Sequence, residues 1–298
     1  MGFRTVVIKN RCKLDFCLNY MVYRAEDEKR IHLSEISVLI IESAAVAITG
    51  ALMVELIKSK VKVIFCDEKH LPSFQLVGFY DNYHSSKCIL KQISWSRQIK
   101  DTVWKNIIFH KIRNQRNYLK GRGYEGYELL DGYLEEIQAG DSTNREGHAA
   151  KVYFNEVIGK SGSRRKPSFY NSALNYGYAI LLSAFCRSIT AAGYITQLGI
   201  WHTNEYNPYN LASDFMETYR IIADALALEL DEENLDFKGH MANIVNSKVE
   251  INGKWQFLEA GIELYVQSLF NALNGNSESL IKNFTDYELS IYENYCNV

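Results

Sequence analysis

The chain has 298 residues, of which 47% are hydrophobic and 23% are charged, with only 3 prolines. This composition predicts a globular protein of one large domain or two ordinary ones, and it excludes the disordered and low-complexity classes. The net charge of −2 is unevenly distributed, at +10 over residues 1–123 and −12 over residues 124–298. The basic half could bind an anion and the acidic half a cation. Net charge alone does not predict that the protein binds nucleic acid.

The longest apolar stretch, residues 36–56, is interrupted too often to predict a membrane-spanning helix. Six residues break it, namely Ser37, Glu42, Ser43, Thr49, Gly50 and Glu55. Residues 1–6 lack the basic segment and long apolar run of a signal peptide, and they predict a strand. The six cysteines are scattered without a Cys-x-x-Cys pair, which favours reduced thiols over disulfides or a zinc site. We therefore expect a cytoplasmic protein that does not bind a membrane.

The chain divides into a β-rich first part and a helical second part. Strands are predicted at 4–9, 13–23, 29–33, 38–41, 61–66 and 73–80, with a helix at 43–58. Helices are predicted at 88–120, 128–138, 142–158, 169–192, 210–228, 237–245 and 256–273. A run of strands followed by a run of helices predicts an α+β chain with two domains. We place a β-rich N-terminal domain at 1–85 and a larger all-α domain at 86–298.

A first group of candidate functional residues lies at 141–154. Asp141, Ser142 and Asn144 are each plausible caps for the N-terminus of a helix. Glu146 is followed by small residues that allow close helix packing, which would partly bury its carboxylate. The alternative is that Glu146 is simply a first-turn glutamate favoured by the helix dipole, and this patch alone leaves both interpretations open.

Two further groups follow the apolar segment 178–200. His202 lies where that segment ends, although a lone histidine is more often structural than a ligand. Asp214 and Glu217 are three residues apart on a predicted helix, so both carboxylates project from one face. The alternative for Glu217 is an ordinary surface ion pair with Arg220.

Taken together, these side chains form a mixed set of oxygen and nitrogen donors. Glu146, His202 and either Glu217 or Asp214 would suit Mg²⁺ or Mn²⁺, and manganese tolerates imidazole better. The set offers no thiolate, which argues against structural zinc. A hard cation held by few protein groups keeps coordination positions open for phosphate oxygens and water.

Four motifs in order carry a family resemblance: NREGHAAKVYF at 144–154, LNYGY at 174–178, GIWH at 199–202 and LASDFMETYR at 211–220. With these motifs the whole chain resembles Cas1, the CRISPR-associated, metal-dependent endonuclease and integrase of spacer acquisition. The run NPYNL at 207–211 and the length of the chain are most similar to the type II-A branch. The resemblance implies a β domain followed by a helical catalytic domain.

The resemblance also implies the site and its chemistry. Glu146 and His202 match metal ligands of the family, Glu217 matches a third ligand that is aspartate in many relatives, and Asp214 matches a supporting acid. The implied reaction is transesterification, in which the 3′-hydroxyl of a double-stranded DNA fragment attacks a phosphodiester of the repeat array. His202 would be a ligand or, less favoured, a general acid. The implied partners are a second copy in a homodimer, the small protein Cas2 and other type II-A adaptation proteins.

The DNA backbone would be bound by basic side chains. The candidates are Arg164, Arg165 and Lys166, in a polar loop, and Lys151 on the helix of Glu146. A second basic cluster comprises Lys111, Arg113, Arg116, Lys120 and Arg122, which would otherwise be the exposed side of a long helix. Two other functions remain open at this point: a metal-dependent nuclease that only hydrolyses nucleic acid, and a non-catalytic DNA-binding scaffold.

Overall fold

The computed structural model describes residues 4–68, 72–78, 85–159, 168–230 and 236–290. The first part contains eight strands and one helix: β1 (Arg4–Ile8), β2 (Cys12–Cys17), β3 (Tyr20–Arg24), β4 (Glu28–His32), β5 (Ile36–Ile41), β6 (Val46–Ile48), α1 (Gly50–Lys58), β7 (Lys62–Cys66) and β8 (Pro72–Leu76). The strands form two four-stranded sheets. One has the order β1-β5-β7-β8, in which only β8 is antiparallel to its neighbour, and the other has the order β4-β3-β2-β6.

The predicted strand at 13–23 is two strands, β2 and β3, which pair as a hairpin. Leu18 and Asn19 connect them with φ angles of 49° and 68°. Two consecutive positive φ angles are typical of the tight turn whose twist matches that of paired strands. The alternating pattern continues through this turn, so it did not reveal the break. The predicted helix at 43–58 likewise contains β6, and α1 begins only after the capping residue Thr49.

Strand β5 is buried because both of its faces are covered. Leu39 and Ile41 pack into the core beneath the second sheet, whereas Val38 and Ile40 pack into the larger core of the helical part. A strand with two buried faces has a continuous apolar sequence rather than an alternating one. This accounts for the apolar run that resembles a membrane segment in the sequence. Within the described residues, no helix has the length and apolarity needed to span a bilayer.

The second part is mainly helical but is not all-α, which corrects the predicted fold class. Its helices are α2 (Ser85–Ser94), α3 (Arg97–Gly121), α4 (Tyr127–Glu136), α5 (Arg145–Ile158), α6 (Phe169–Ala191), α7 (Asn210–Phe215), α8 (Arg220–Leu228), α9 (Phe237–Ala242) and α10 (Leu258–Gly275). Three strands, β9 (Lys248–Ile251), β10 (Lys254–Phe257) and β11 (Phe284–Glu288), form an antiparallel sheet in the order β10-β9-β11. Asn252 and Gly253, both with positive φ, connect β9 to β10. This Asn-Gly pair is a strong hairpin signal, and it explains why the helix predicted from residue 256 begins at Leu258.

The two parts contact each other directly. Ser183 of α6 donates a hydrogen bond to Gln75 of β8 at 2.6 Å. Lys62 of β7 forms an ion pair with Glu259 of α10 at 3.1 Å. These contacts do not test the predicted domain boundary at residue 85, which stays a prediction.

Candidate active site

Glu146 lies in the first turn of α5, and Asp141 holds that turn in place. The Asp141 carboxylate accepts hydrogen bonds from the backbone N–H groups of Arg145, at 2.8 Å, and Glu146, at 3.0 Å. Of the three capping candidates in the sequence, Asp141 thus supplies the side chain that satisfies the helix start. The Glu146 side chain is 31% exposed, so it is partly accessible from solvent.

Glu217 lies in a 3-10 turn between α7 and α8 and is buried, with 6% of its side chain exposed. Its Oε1 accepts a hydrogen bond from Arg220 at 2.9 Å, and its Oε2 accepts one from Lys111 at 2.5 Å. Burial would raise the pKa of Glu217, but the two cations lower it to about 2. The pair with Arg220, which could have been an ordinary surface pair, is therefore part of a buried network.

Lys111 of α3 joins the two glutamates. Its ammonium lies 2.5 Å from Oε1 of Glu146 and 2.5 Å from Oε2 of Glu217. These two oxygens, which we call the carboxylate pair, are therefore no more than about 5 Å apart. Burial lowers the pKa of Lys111, but the charges of Glu217 and Glu146 raise it above its usual value. The pair thus already surrounds a positive charge.

His202 is oriented by Asp214, which is fully buried. Asp214 Oδ2 accepts hydrogen bonds from the backbone N–H groups of Ile200 and Trp201, at 2.7 and 3.0 Å. Its Oδ1 accepts one from the His202 backbone at 3.1 Å and contacts His202 Nδ1 at 2.5 Å. Both oxygens of Asp214 accept hydrogen bonds from the 200–202 segment, so the contacts of Asp214 are those of a residue that positions His202. Asp214 and Glu217 do not share one helix face as predicted, because α7 ends at Phe215, between them.

The environment of His202 is strongly anionic. The hydrogen bond with Asp214 is the main cause that raises the pKa of His202. Burial opposes this increase, and the charges of Asp214, Glu217 and Glu146 add to it. His202 is therefore electrostatically linked to the carboxylate pair, and because Nδ1 is committed to Asp214, Nε2 is the ring nitrogen free for another partner.

Close packing at Gly199 keeps this turn in place. A Cβ atom at Gly199 would lie 2.3 Å from the His202 carbonyl oxygen and 2.7 Å from Asp214 Oδ2. On the other side, the rings of Trp104 and Trp201 stack with centroids 5.5 Å apart, and Trp104 meets the His202 ring edge-on. The turn that carries His202 is thus held by backbone hydrogen bonds, by a glycine contact and by aromatic packing.

The donor chemistry of the carboxylate pair fits a hard divalent cation. Two carboxylate oxygens from separate elements already converge on one ammonium, and carboxylates are ligands that Mg²⁺ and Mn²⁺ accept. In the part of the chain that the structure describes, no three His, Cys, Asp or Glu side chains are grouped tightly enough to hold a metal as they stand. A metal at this site would therefore take the place of the ammonium, and His202 would join it only after an adjustment.

The basic residues expected at the DNA divide into three cases. Residues 164–166 lie outside the described residues, and Lys151 is exposed on α5. The second cluster is engaged within the protein: Arg113 donates to the Phe284 carbonyl, Arg116 pairs with Asp131, Arg122 pairs with Glu229, and Lys120 lies over the Tyr127 ring. These side chains are thus engaged within the protein, although Lys120 and Arg122 remain exposed.

Lys111 is the site residue for which the sequence prediction is wrong. The prediction places it in the second basic cluster, whereas the structure buries it between two glutamates. The signal was present in the sequence, since Ile107, Ile108 and Ile112 define the buried stripe of α3. Lys111 occupies a position on the same stripe, three or four residues from two of these isoleucines. A lysine at a core position of a helix needs a buried anionic partner.

Comparison with known proteins identifies the family. The family model described as CRISPR associated protein Cas1 matches residues 6–249 of the chain. The chain is 32% identical over 278 residues to the CRISPR-associated endonuclease Cas1 of Neisseria meningitidis serogroup C (strain 8013), which covers 90% of this chain and 91% of that relative. The chain belongs to the Cas1 family.

Solved structures show the same fold. A casposase bound to an integration product superposes with a TM-score of 0.73 at 19% identity, covering 93% of this chain and 92% of that one. A chain of a Cas6-RT-Cas1–Cas2 complex superposes with a TM-score of 0.70 at 19% identity and covers 94% of this chain. The present chain spans 36% of the length of that second structure. The mixed α+β fold implied by the motifs is thereby confirmed, with the added C-terminal sheet.

Proposed function

We propose that this protein is a metal-dependent DNA integrase of CRISPR spacer acquisition, which joins the 3′-hydroxyl of a double-stranded DNA fragment to the repeat array. The observation that carries the proposal is the convergence of the Glu146 and Glu217 carboxylates on one cation, beside a histidine fixed by a buried aspartate. Family membership and the fold shared with a casposase on its integration product support it.

Each side chain has a distinct part in the proposed reaction. Glu146 and Glu217 hold the cation, and Arg220 fixes the orientation of Glu217. Mg²⁺ or Mn²⁺, when bound, would polarise the phosphoryl oxygens and stabilise the negative charge that develops on them. His202, oriented through Nδ1 by Asp214, offers Nε2 as a third ligand or as the donor of a proton to the leaving oxygen.

In the transfer the 3′-hydroxyl oxygen forms the new bond to phosphorus, and the bond from phosphorus to the leaving 3′-oxygen breaks. The attacking hydroxyl loses its proton to solvent and the leaving oxygen gains one, so protons balance. The number of phosphodiester bonds is unchanged, so the transfer needs no external energy source, and because the hydroxyl attacks phosphorus directly it needs no covalent intermediate on the protein.

The proposal extends to partners and to DNA contacts. A structural neighbour is a Cas6-RT-Cas1–Cas2 complex, which supports Cas2 as a partner of this chain. We include a homodimer and the type II-A branch on the strength of the sequence resemblance. Lys151, exposed on the helix of Glu146, and residues 164–166 are the proposed contacts to backbone phosphates.

A joining assay separates this function from its alternatives. The purified protein, with and without its Cas2 partner, is incubated with Mn²⁺, a supercoiled repeat plasmid and a labelled fragment ending in a 3′-hydroxyl or a 3′-deoxy sugar. We expect label in the plasmid only with Mn²⁺ and only with the 3′-hydroxyl. Plasmid cleavage without joining would instead indicate a hydrolytic nuclease, and metal-independent binding without product would indicate a scaffold.

A further inference from the structure

Lys111 has no part in the reaction proposed above, yet it occupies the centre of the site. Only 9% of its side chain is exposed. A lysine is rarely buried unless it is paired, because its charge loses hydration in the interior. Both of its partners here are carboxylates that we assign to a metal. A metal and the ammonium would therefore compete for the same two oxygens.

The contacts of Glu217 would keep it in place if the ammonium moved away. Glu217 divides its oxygens, with Oε1 bound by Arg220 and Oε2 by Lys111. Arg220 is itself held over the ring of Tyr178, 4.6 Å from its centroid. If the ammonium moves away, Glu217 keeps its orientation and presents a free Oε2. Oε1 of Glu146 becomes free in the same step, on a side chain already open to solvent.

We propose that Lys111 is a resident counter-ion of the metal site: its ammonium holds the carboxylate pair together in the metal-free protein, and a divalent cation binds by displacing it. The inference rests on the proposed function in one respect, that the two glutamates are metal ligands. Without the ammonium, two carboxylates at most about 5 Å apart repel each other. Lys111 thus stabilises the empty site and weakens the apparent affinity for metal, because both cations use the same oxygens.

The test compares Lys111→Met with the wild-type protein by calorimetric titration with MnCl₂ and by thermal unfolding with and without MnCl₂. We expect Mn²⁺ to bind Lys111→Met on the order of 10-fold more tightly, a size typical of coupling between two linked binding events. We also expect a lower unfolding midpoint without metal and a larger increase in that midpoint on adding Mn²⁺. Unchanged or weaker Mn²⁺ binding by a folded Lys111→Met protein would overturn the inference.

Lys62 provides the matched control. It is also buried and pairs with Glu259, and its ion pair shares no residue with the site. Lys62→Met should lower the unfolding midpoint but leave Mn²⁺ affinity unchanged. A similar gain in affinity in both variants would indicate a general effect of lost positive charge and would also overturn the inference.

A measurement on the wild-type protein covers the case in which Lys111→Met does not fold. Amine labelling followed by mass spectrometry reports how accessible each lysine is. Mn²⁺ should increase labelling of Lys111 several-fold and leave Lys62 unchanged, whereas unchanged labelling of Lys111 at saturating Mn²⁺ would refute displacement. If the protein joins DNA but Lys111 does not respond to Mn²⁺, only this inference fails. If it binds Mn²⁺ and displaces Lys111 but joins no DNA, the proposed function fails.

Discussion

Replacing Asp214 by asparagine should destabilise the protein substantially, because this carboxylate organises the backbone of residues 200–202. The fully buried carboxylate accepts hydrogen bonds from three backbone N–H groups, those of Ile200, Trp201 and His202, and contacts His202 Nδ1. Asparagine keeps one acceptor oxygen and puts an NH₂ group where the second was. At least one backbone donor then faces another donor.

The expected loss can be worked from these contacts. A hydrogen bond to a charged group contributes about 1.5–3 kcal/mol, and an unsatisfied buried donor costs about 1–3 kcal/mol. Removing a buried charge offsets part of this, so we expect Asp214→Asn to lower the free energy of unfolding by about 2–4 kcal/mol. Urea denaturation of the wild-type and Asp214→Asn proteins measures this difference in the free energy of unfolding. His202→Ala is the control, because it keeps all three backbone donors and removes one hydrogen bond to the carboxylate; since the His202 side chain is 45% exposed, we expect a cost at the lower end of that range, about 1.5 kcal/mol. A folded Asp214→Asn protein within about 0.5 kcal/mol of wild type would refute the positioning role.

Three other predictions concern the site and the DNA. Gly199→Ala should lower the free energy of unfolding, measured by urea denaturation, by about 1–3 kcal/mol, because the added methyl group overlaps the His202 carbonyl. A free energy of unfolding equal to that of wild type would show that the turn can move. Glu217 has its pKa lowered to about 2 by its ion pairs, so its contribution to stability is complete above about pH 4.5 and is lost as the pH falls towards 2. Glu217→Gln should therefore flatten the loss of urea stability between about pH 4.5 and pH 2, and an unchanged slope would contradict the assignment. Replacing the three basic residues of 164–166 by alanine should reduce the slope of log affinity for DNA against log salt by about 0.9 per lost phosphate contact, and an unchanged slope would assign them to a solvated loop.

Much of the fold could be predicted from local patterns. The apolar strand at 36–41 and the long helices follow from hydrophobic periodicity. Strands β9 and β11 are not predicted at all, the helix predicted at 88–120 is two helices, and β2 and β3 are merged into one predicted strand. The last of these errors falls at a short turn. Two residues suffice for a hairpin turn, so the pattern of apolar residues continues across it and hides the break.

The site was predictable only in part, because its residues come together through the tertiary fold. Glu146 and Glu217 are 71 positions apart, and what joins them is a lysine on a third element. Spacing on a helix suggested that Asp214 and Glu217 act together, but α7 ends between them and turns Asp214 towards the 200–202 backbone. Helical spacing predicts a shared face only while the helix continues.

The most direct test of the central claim measures DNA joining by Glu146→Ala at saturating Mn²⁺. Glu146 is partly exposed in the first turn of α5, and Lys111 keeps its ion pair with Glu217, so the protein should remain folded after the replacement. Glu156→Ala, on the same helix, is the matched control and should join DNA at the wild-type rate. We predict that Glu146→Ala gives no joining above the metal-free background. Joining at the wild-type rate would contradict the assignment of this carboxylate to the metal.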